Sequence, residues 1–461
     1  MRFFSVSSRL AQGLLFCSVA LSGCDTSTFP DGVVATVTSP GDDPWTGPPA
    51  ATHARLDVVT DTSRTTIADV SAPPGPVSLG NDGPNDIIAH FEMTGLSDAG
   101  DPLVFGASAA FLVRSYAGAY VPLFVARKGG FATAPNALLA PHIHPLAATY
   151  TNFYSLIAGG TDTSIDFFDA GTWGAPLNTT PLPQTVKSFA IALIPATTTS
   201  ASHTLLLLIN DDGANWQDID TGAVSAVSSA PLAFKEIVGG QTLMAGDGTS
   251  YIVGATRTDS AATNKVLRID TDGTLHAVLL NTPRLGAAAT LVEGALLVTG
   301  GSAKGAGAEL IATDRNSFDE LPFPADETTG GSVAELSSLS AVLAGGHDAS
   351  GAPSATRTLD LGCASDCSAT ELPKLSLDVS RTNAFNVAEN RALIVGESDD
   401  TQTHAYLFDA SGDEPSLVEQ DLRTPRSQAS AVLQPNYQVG IFGGTELSSG
   451  NPALNVDVFF P

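Results

Sequence analysis

Residues Thr282–Ala325 read TPRLGAAATLVEGALLVTGGSAKGAGAELIATDRNSFDELPFPA, and this stretch decides the fold. After Pro283-Arg284, a run of small residues, Ala287–Leu291, meets a turn at Glu293-Gly294. The apolar run Leu296-Leu297-Val298 follows and stops at Gly300-Gly301. A glycine-rich loop leads to Glu309–Thr313, which closes on Asp314 and is followed by Phe318–Leu321. The order spells four short strands. The second is apolar at consecutive positions, as a strand buried on both faces must be. Paired glycines end it, because Gly reaches positive φ and admits a close neighbour. One small sheet cannot bury both of its faces, but stacked copies can.

Copies recur. The last reads Pro425-Arg426, Ala429–Leu433, a turn at Pro435-Asn436, Val439–Phe442, Gly443-Gly444, then Val456–Phe460. Leu156–Ala158 runs into Gly159-Gly160, and Ala341–Ala344 into Gly345-Gly346. Leu205–Ile209, Tyr251–Gly254 and Leu393–Gly396 repeat the strand without the pair. The apolar centres fall at Ile157, Leu207, Ile252, Leu297, Val342, Ile394 and Ile441, a period of roughly 46 residues. An eighth, degenerate copy is read at Val121–Ala126. Helical repeats would need caps and a 3.6-residue period, and the units have neither.

The double-glycine strand end over residues 100–461 resembles the kelch-repeat β-propeller family. The Tyr and Trp of typical kelch units are mostly missing, so the resemblance implies architecture and no activity. It implies an all-β propeller of seven or eight four-stranded blades. The last copy stops after its third strand. A closing strand is therefore expected from the N-terminal side, at Ala54–Val70 or Ile87–Met93.

The first residues read as an address. Arg2 and Arg9 precede the apolar run Leu14–Leu21, which is too short to span a bilayer. Leu21-Ser22-Gly23-Cys24 resembles the bacterial lipoprotein box, which implies a signal peptide over 1–23 and lipidation of Cys24. Asp25 resembles an inner-membrane retention signal of enteric bacteria, but sorting differs among bacteria and the outer membrane is favoured. Residues 24–52, rich in Pro and Gly, read as a flexible tether. Trp45 within it reads as a locally packed side chain. Residues 53–99 read as N-terminal strands and a linker that close the propeller, and 100–461 as the propeller itself.

Composition narrows the function. The chain of 461 residues has 21 Lys+Arg against 48 Asp+Glu, a net charge of −27, which excludes an obvious nucleic-acid binder. Only 15% of residues are charged and 43% are hydrophobic, which excludes wholesale disorder. Cys363 and Cys367, in an extracytoplasmic protein, are expected to form a disulfide.

Other candidates are weaker. In an extended Pro-His-Ile-His-Pro segment, His142 and His144 would face one way and offer two metal ligands, a weak site to which folding would have to bring a third. Asn210–Trp216 resembles the Asp box of sialidase-like propellers and reads as a β-turn. Asp270-Thr271-Asp272-Gly273 resembles a fragment of a calcium loop without its later ligands. Arg284, Arg381 and Arg426 occupy similar places. They read as ion pairs with Asp314, Asp360 and Asp409 between blades, ahead of an anion-gripping arginine ring. No catalytic constellation and no cofactor motif is legible. The expectation is a membrane-anchored module of the bacterial cell envelope that binds an envelope protein or a glycan. Its contact loops would be Gly301–Glu309, Gly346–Arg357 and Gly444–Leu454. The alternative is a carbohydrate-active hydrolase or epimerase on the same fold.

Overall fold

The computed structural model describes residues 32–461 apart from 80–86, 114–118, 151–152, 176–179, 195–201, 228, 255–260, 313–314, 316 and 366. Cys24, Asp25 and the whole of 1–31 lie outside the described residues. The fold is all-β and built from many small antiparallel sheets. None of its helices is long and apolar enough to cross a membrane, among the described residues.

Seven sheets follow one another along the chain. Their first strands are Leu146–Thr149, Ser188–Ile194, Gln241–Met244, Ala288–Val292, Ser332–Ser337, Ser380–Ala388 and Ser430–Leu433, and the sheets are numbered 1 to 7 in that order. Sheets 2 to 6 are four-stranded meanders with sequential strand order. Sheet 1 has three strands, extended by a bridge from Asp169 to Gly174. The seven apolar centres read from the sequence are all second-strand residues, each 0% exposed.

Those strands bury both faces because each sheet packs on two neighbours. One hydrophobic cluster lies between sheets 1 and 2 (Leu156, Phe167, Phe189, Leu206). The next lie between 2 and 3, 3 and 4, 4 and 5, 5 and 6, and 6 and 7. The last lies between sheet 7 and sheet 1, where Phe442 and Phe460 meet Ile157, Phe168 and Trp173. Sheets 2 and 3, 3 and 4, 4 and 5, 5 and 6, and 7 and 1 touch through their first strands, and the first strand of sheet 1 also reaches that of sheet 3. The first strands therefore converge.

Gly300 and Gly301 show why the glycine pair ends the second strand. Both have positive φ, at 75° and 74°. A Cβ on Gly300 would lie 2.8 Å from the carbonyl oxygen of Thr328, in the lead-in to the next sheet. A Cβ on Gly301 would lie 2.6 Å from the carbonyl oxygen of Leu285, in the lead-in to its own sheet. One glycine admits the neighbour and the other admits the sheet's own incoming chain.

Sheet 7 takes its fourth strand from Gly130–Thr133, which pairs antiparallel with Asp457–Phe460. This corrects the expectation of Ala54–Val70 or Ile87–Met93. Those residues belong to a separate sheet made of Arg64–Ser71, His53–Val59, Ile88–Leu96, Pro102–Ala107 and Ala126–Arg127. A second small sheet, Val77–Ser78, Val33–Val37 and Tyr120–Phe124, packs against it through Val34, Leu56, Phe91, Met93, Val104 and Leu123. The N-terminal sheets thus have their own core, and the repeats begin near residue 130 rather than 100.

Two further expectations are corrected. Val121–Ala126 is not an eighth repeat, since Tyr120–Phe124 pairs in parallel with Val33–Val37. The segment expected to be a flexible tether carries that strand, Val33–Val37, and Trp45, which is 4% exposed in the N-terminal core. The Val-Val-Ala-Thr-Val run has enough apolar, β-branched surface to outweigh its Pro-rich flanks.

Candidate functional site

Each sheet is entered by a lead-in segment that must turn from the previous sheet into the first strand. Its backbone donors need partners, and in sheets 1, 4 and 7 an acid early in the third strand supplies them. In sheet 4, Glu309 accepts from the amides of Asn281 (2.6 Å) and Thr282 (3.2 Å). Arg284 meets the same carboxylate at 2.9 Å, with side chains 1% and 0% exposed. The guanidinium also donates to the carbonyls of Gly300 (2.8 Å), Ala306 (2.6 Å) and Gly307 (3.3 Å). In sheet 7, Asp457 accepts from the Thr424 amide (2.8 Å) and lies 3.3 Å from Arg426, both side chains 0% exposed. Burial pushes the Asp457 carboxyl up and the Arg426 guanidinium down, against their mutual attraction.

Sheet 1 repeats the device with a histidine. Asp166 accepts from the amides of Leu139 (3.1 Å) and Ala140 (3.0 Å), and His142 Nε2 lies 3.2 Å from it. In sheets 3 and 5 the signs are exchanged. Lys265 on the third strand meets Glu236 of the lead-in at 2.6 Å, and Arg357 meets Asp326 at 3.0 Å. These five clamps all lie within one sheet and its own lead-in.

The arginine expectation is corrected in its partners. Arg284 and Arg426 are structural, but they pair with the acid that opens the third strand, not the Asp that closes it. Asp409 pairs instead with Arg391 at 3.1 Å, and Asp360 accepts from the Gly362 amide (3.0 Å). Asp314 lies outside the described residues. Arg381 stands two residues later in register than Arg284 and Arg426, inside the first strand Ser380–Ala388. It reaches Glu397 at 3.4 Å with its side chain 70% exposed.

The histidine pair is also corrected. His144 has φ 53°, so the segment is not extended. His142 turns to Asp166, while His144 Nε2 lies 3.9 Å from Glu397. Among the described residues there is no group of three or more His, Cys, Asp or Glu placed to hold a metal. Asn210–Trp216 is a hairpin, with Asn210 paired to Gly213 across the turn. In the Asp270–Gly273 turn, Asp270 is taken up by Arg268 (2.9 Å) and His276 (3.0 Å). Cys363 and Cys367 are joined by a disulfide with Cα atoms 5.7 Å apart.

The three expected contact loops each follow the second strand of sheets 4, 5 and 7, at the end where the clamps hold the lead-ins. An open cleft of about 260 Å³ lies beside the loop of sheet 5, lined by Asp326, Glu327, Thr328, Asp348, Ser354 and Arg357 among others. Two of its acids, Asp326 and Asp348, are occupied. Asp326 is paired with Arg357. Hydrogen bonds from the Ser350 hydroxyl and from the Ala352 and Ser350 amides hold the Asp348 carboxyl below the usual range. A general acid needs the opposite shift.

No family model matches the chain, and neither does any curated protein. Among solved structures, a fungal alcohol oxidase of the AA5 family in complex with copper is 15% identical, covers 72% of this chain and 76% of its own, and has a TM-score of 0.34. A streptogramin B lyase is 11% identical, covers 71% of this chain and 96% of its own, with a TM-score of 0.39. At these values neither likeness bears on what this chain does.

Proposed function

We propose that the seven sheets are the blades of a kelch-like β-propeller. The chain would be a lipid-anchored lipoprotein of the bacterial cell envelope whose propeller binds a protein or a glycan. The packing of sheet 7 on sheet 1 supports a closed ring, and the strand Gly130–Thr133 supports its closure from the N-terminal side. The observation that carries the binding reading is the common end of the sheets. Buried clamps fix the lead-ins there, and three long polar loops project from the same end. A rigid frame presenting variable loops is a binding architecture.

The test uses the full chain in membranes. Cys24→Ser should release it to the soluble fraction; unchanged membrane association would refute the anchor. Replacing residues 347–355 and 445–452 by short Gly-Ser turns should abolish binding on a glycan array or to a cross-linked envelope partner, with the melting temperature kept. Binding unaffected by both replacements would refute the loop surface. Glycoside turnover without a bound partner would favour the enzyme reading.

A further inference from the structure

Two residues before the first strand in sheets 1, 3, 4, 5 and 7, and just inside it in sheet 6, the chain makes a left-handed turn at one residue. In sheets 3, 4 and 5 that residue is Gly239, Gly286 or Gly330, with φ 76°, 56° and 71°. In sheets 6, 7 and 1 it is Arg381, Gln428 or His144, with φ 49°, 59° and 53°. Backbone bonds tie these positions from sheet to sheet. The Gly330 amide donates to the Gly286 carbonyl (3.0 Å), Thr382 to Gly330 (3.2 Å), and His144 to Gln428 (3.0 Å). Gln428 in turn donates to Thr401 (3.1 Å), itself at φ 67°.

Glycine serves this turn without strain, as three sheets show. A side chain there is disfavoured, and such residues persist where the side chain has a use. Here three consecutive sheets carry long polar side chains at the position. Together with Thr401 they make four of the eight non-glycine residues with positive φ among the described residues. Glu397, 9% exposed, sits between two of them, 3.4 Å from Arg381 and 3.9 Å from His144. The second distance is too long for a hydrogen bond, and the buried His144 Nε2 has no hydrogen-bond partner.

We propose that Arg381, Gln428 and His144, with Glu397 between them, form a binding site for a neutral sugar residue where the first strands converge. The site deepens the binding reading above and rests on it. The donor and acceptor inventory carries the ligand class. Arg381 offers free donors, Gln428 offers both kinds of group, and Glu397 accepts. A hydroxyl both donates and accepts, so it can bridge Glu397 and His144, which do not bridge directly. Net charge disfavours an anion. Arg381 and Glu397 cancel, and a chain of net charge −27 repels anionic ligands.

The experiment takes the full chain and the variants Arg381→Gly, Gln428→Gly and His144→Gly. Binding is measured by calorimetry against neutral hexaoses of glucose, mannose and N-acetylglucosamine, and against a galacturonate hexamer. Melting temperature is measured alongside. Glycine suits the turn, so each variant should melt at or above the wild-type temperature. Each should weaken binding of the preferred neutral hexaose at least tenfold. A wild type that binds a neutral hexaose, with variants that bind equally, overturns this site and leaves the glycan-binding reading standing. Lower melting in step with lost binding makes the three side chains structural and overturns the site. Preference for the galacturonate overturns the ligand class. A wild type that binds none of the probes overturns the site and the glycan half of the binding reading together.

Discussion

Replacing Arg284 by Met tests the clamp most directly. The substitution keeps much of the volume and removes the charge. It strands a carboxylate that is 0% exposed, together with the carbonyls of Gly300 and Ala306 that Arg284 serves. Breaking one side of a buried pair costs about 3–5 kcal/mol. Glu309 keeps two amide donors, from Asn281 and Thr282, so the lower end, about 3 kcal/mol, is expected. The double variant Arg284→Met/Glu309→Leu removes both charges but frees those two amides. It should cost less than the sum of the single changes by about 2 kcal/mol or more. Urea unfolding followed by intrinsic fluorescence measures both quantities. A single-variant loss below about 1 kcal/mol, or strict additivity, would refute the account of the clamp as a desolvated pair holding the lead-in.

Other outcomes follow from the same structure. Phe131→Ala should cost about 3–5 kcal/mol and loosen the pairing of sheet 7, because Phe131 is 4% exposed and packs edge-on against Phe459 at 5.3 Å; unchanged hydrogen exchange in 457–460 would contradict closure by Gly130–Thr133. Burial pushes Glu92 up, but hydrogen bonds from His90 and Arg64 outweigh it and hold the carboxyl below 4.5. A depressed folded value contributes stability that is present above the unfolded value and lost as pH falls through the folded one. The N-terminal sheets should therefore weaken below about pH 4.5, and Glu92→Gln should flatten that limb while lowering stability at neutral pH. An equally steep acid limb in Glu92→Gln would assign the titration elsewhere. Reducing the Cys363–Cys367 bond should cost only about 2 kcal/mol, because the loop is short; loss of the fold on reduction would contradict this.

The second strands were legible because burial on both faces writes a continuous apolar run. Gly300-Gly301 was legible because only glycine tolerates the two close approaches. The closing strand was hidden. Gly130-Phe-Ala-Thr133 is four residues long and alternates too briefly to signal anything, and its partner is more than three hundred residues away. The clamp acids were hidden for a different reason. Asp at the ends of the third strands recurs visibly, whereas Glu309, Asp166 and Asp457 stand one or two residues into strands of mixed character. Alternation in Ala308-Glu309-Leu310-Ile311 marks Glu309 as odd, but pairing with a lead-in some twenty-five residues earlier is a tertiary fact. The site at Arg381, Gln428 and His144 was hidden because nothing in sequence reports φ, and only the glycines in sibling sheets show that a side chain there is unusual.

The exchange of signs in sheets 3 and 5 bears on how such a chain can grow and diverge. Each clamp's acid and base belong to one repeat, so gain or loss of a whole repeat leaves no buried charge without its counterpart. Inversion within a repeat is equally silent to the neighbours. No adjoining unit has to answer it. The copies can therefore drift apart in sequence until little but their geometry is shared, as the scattered glycine pairs and the lone histidine clamp of sheet 1 already illustrate.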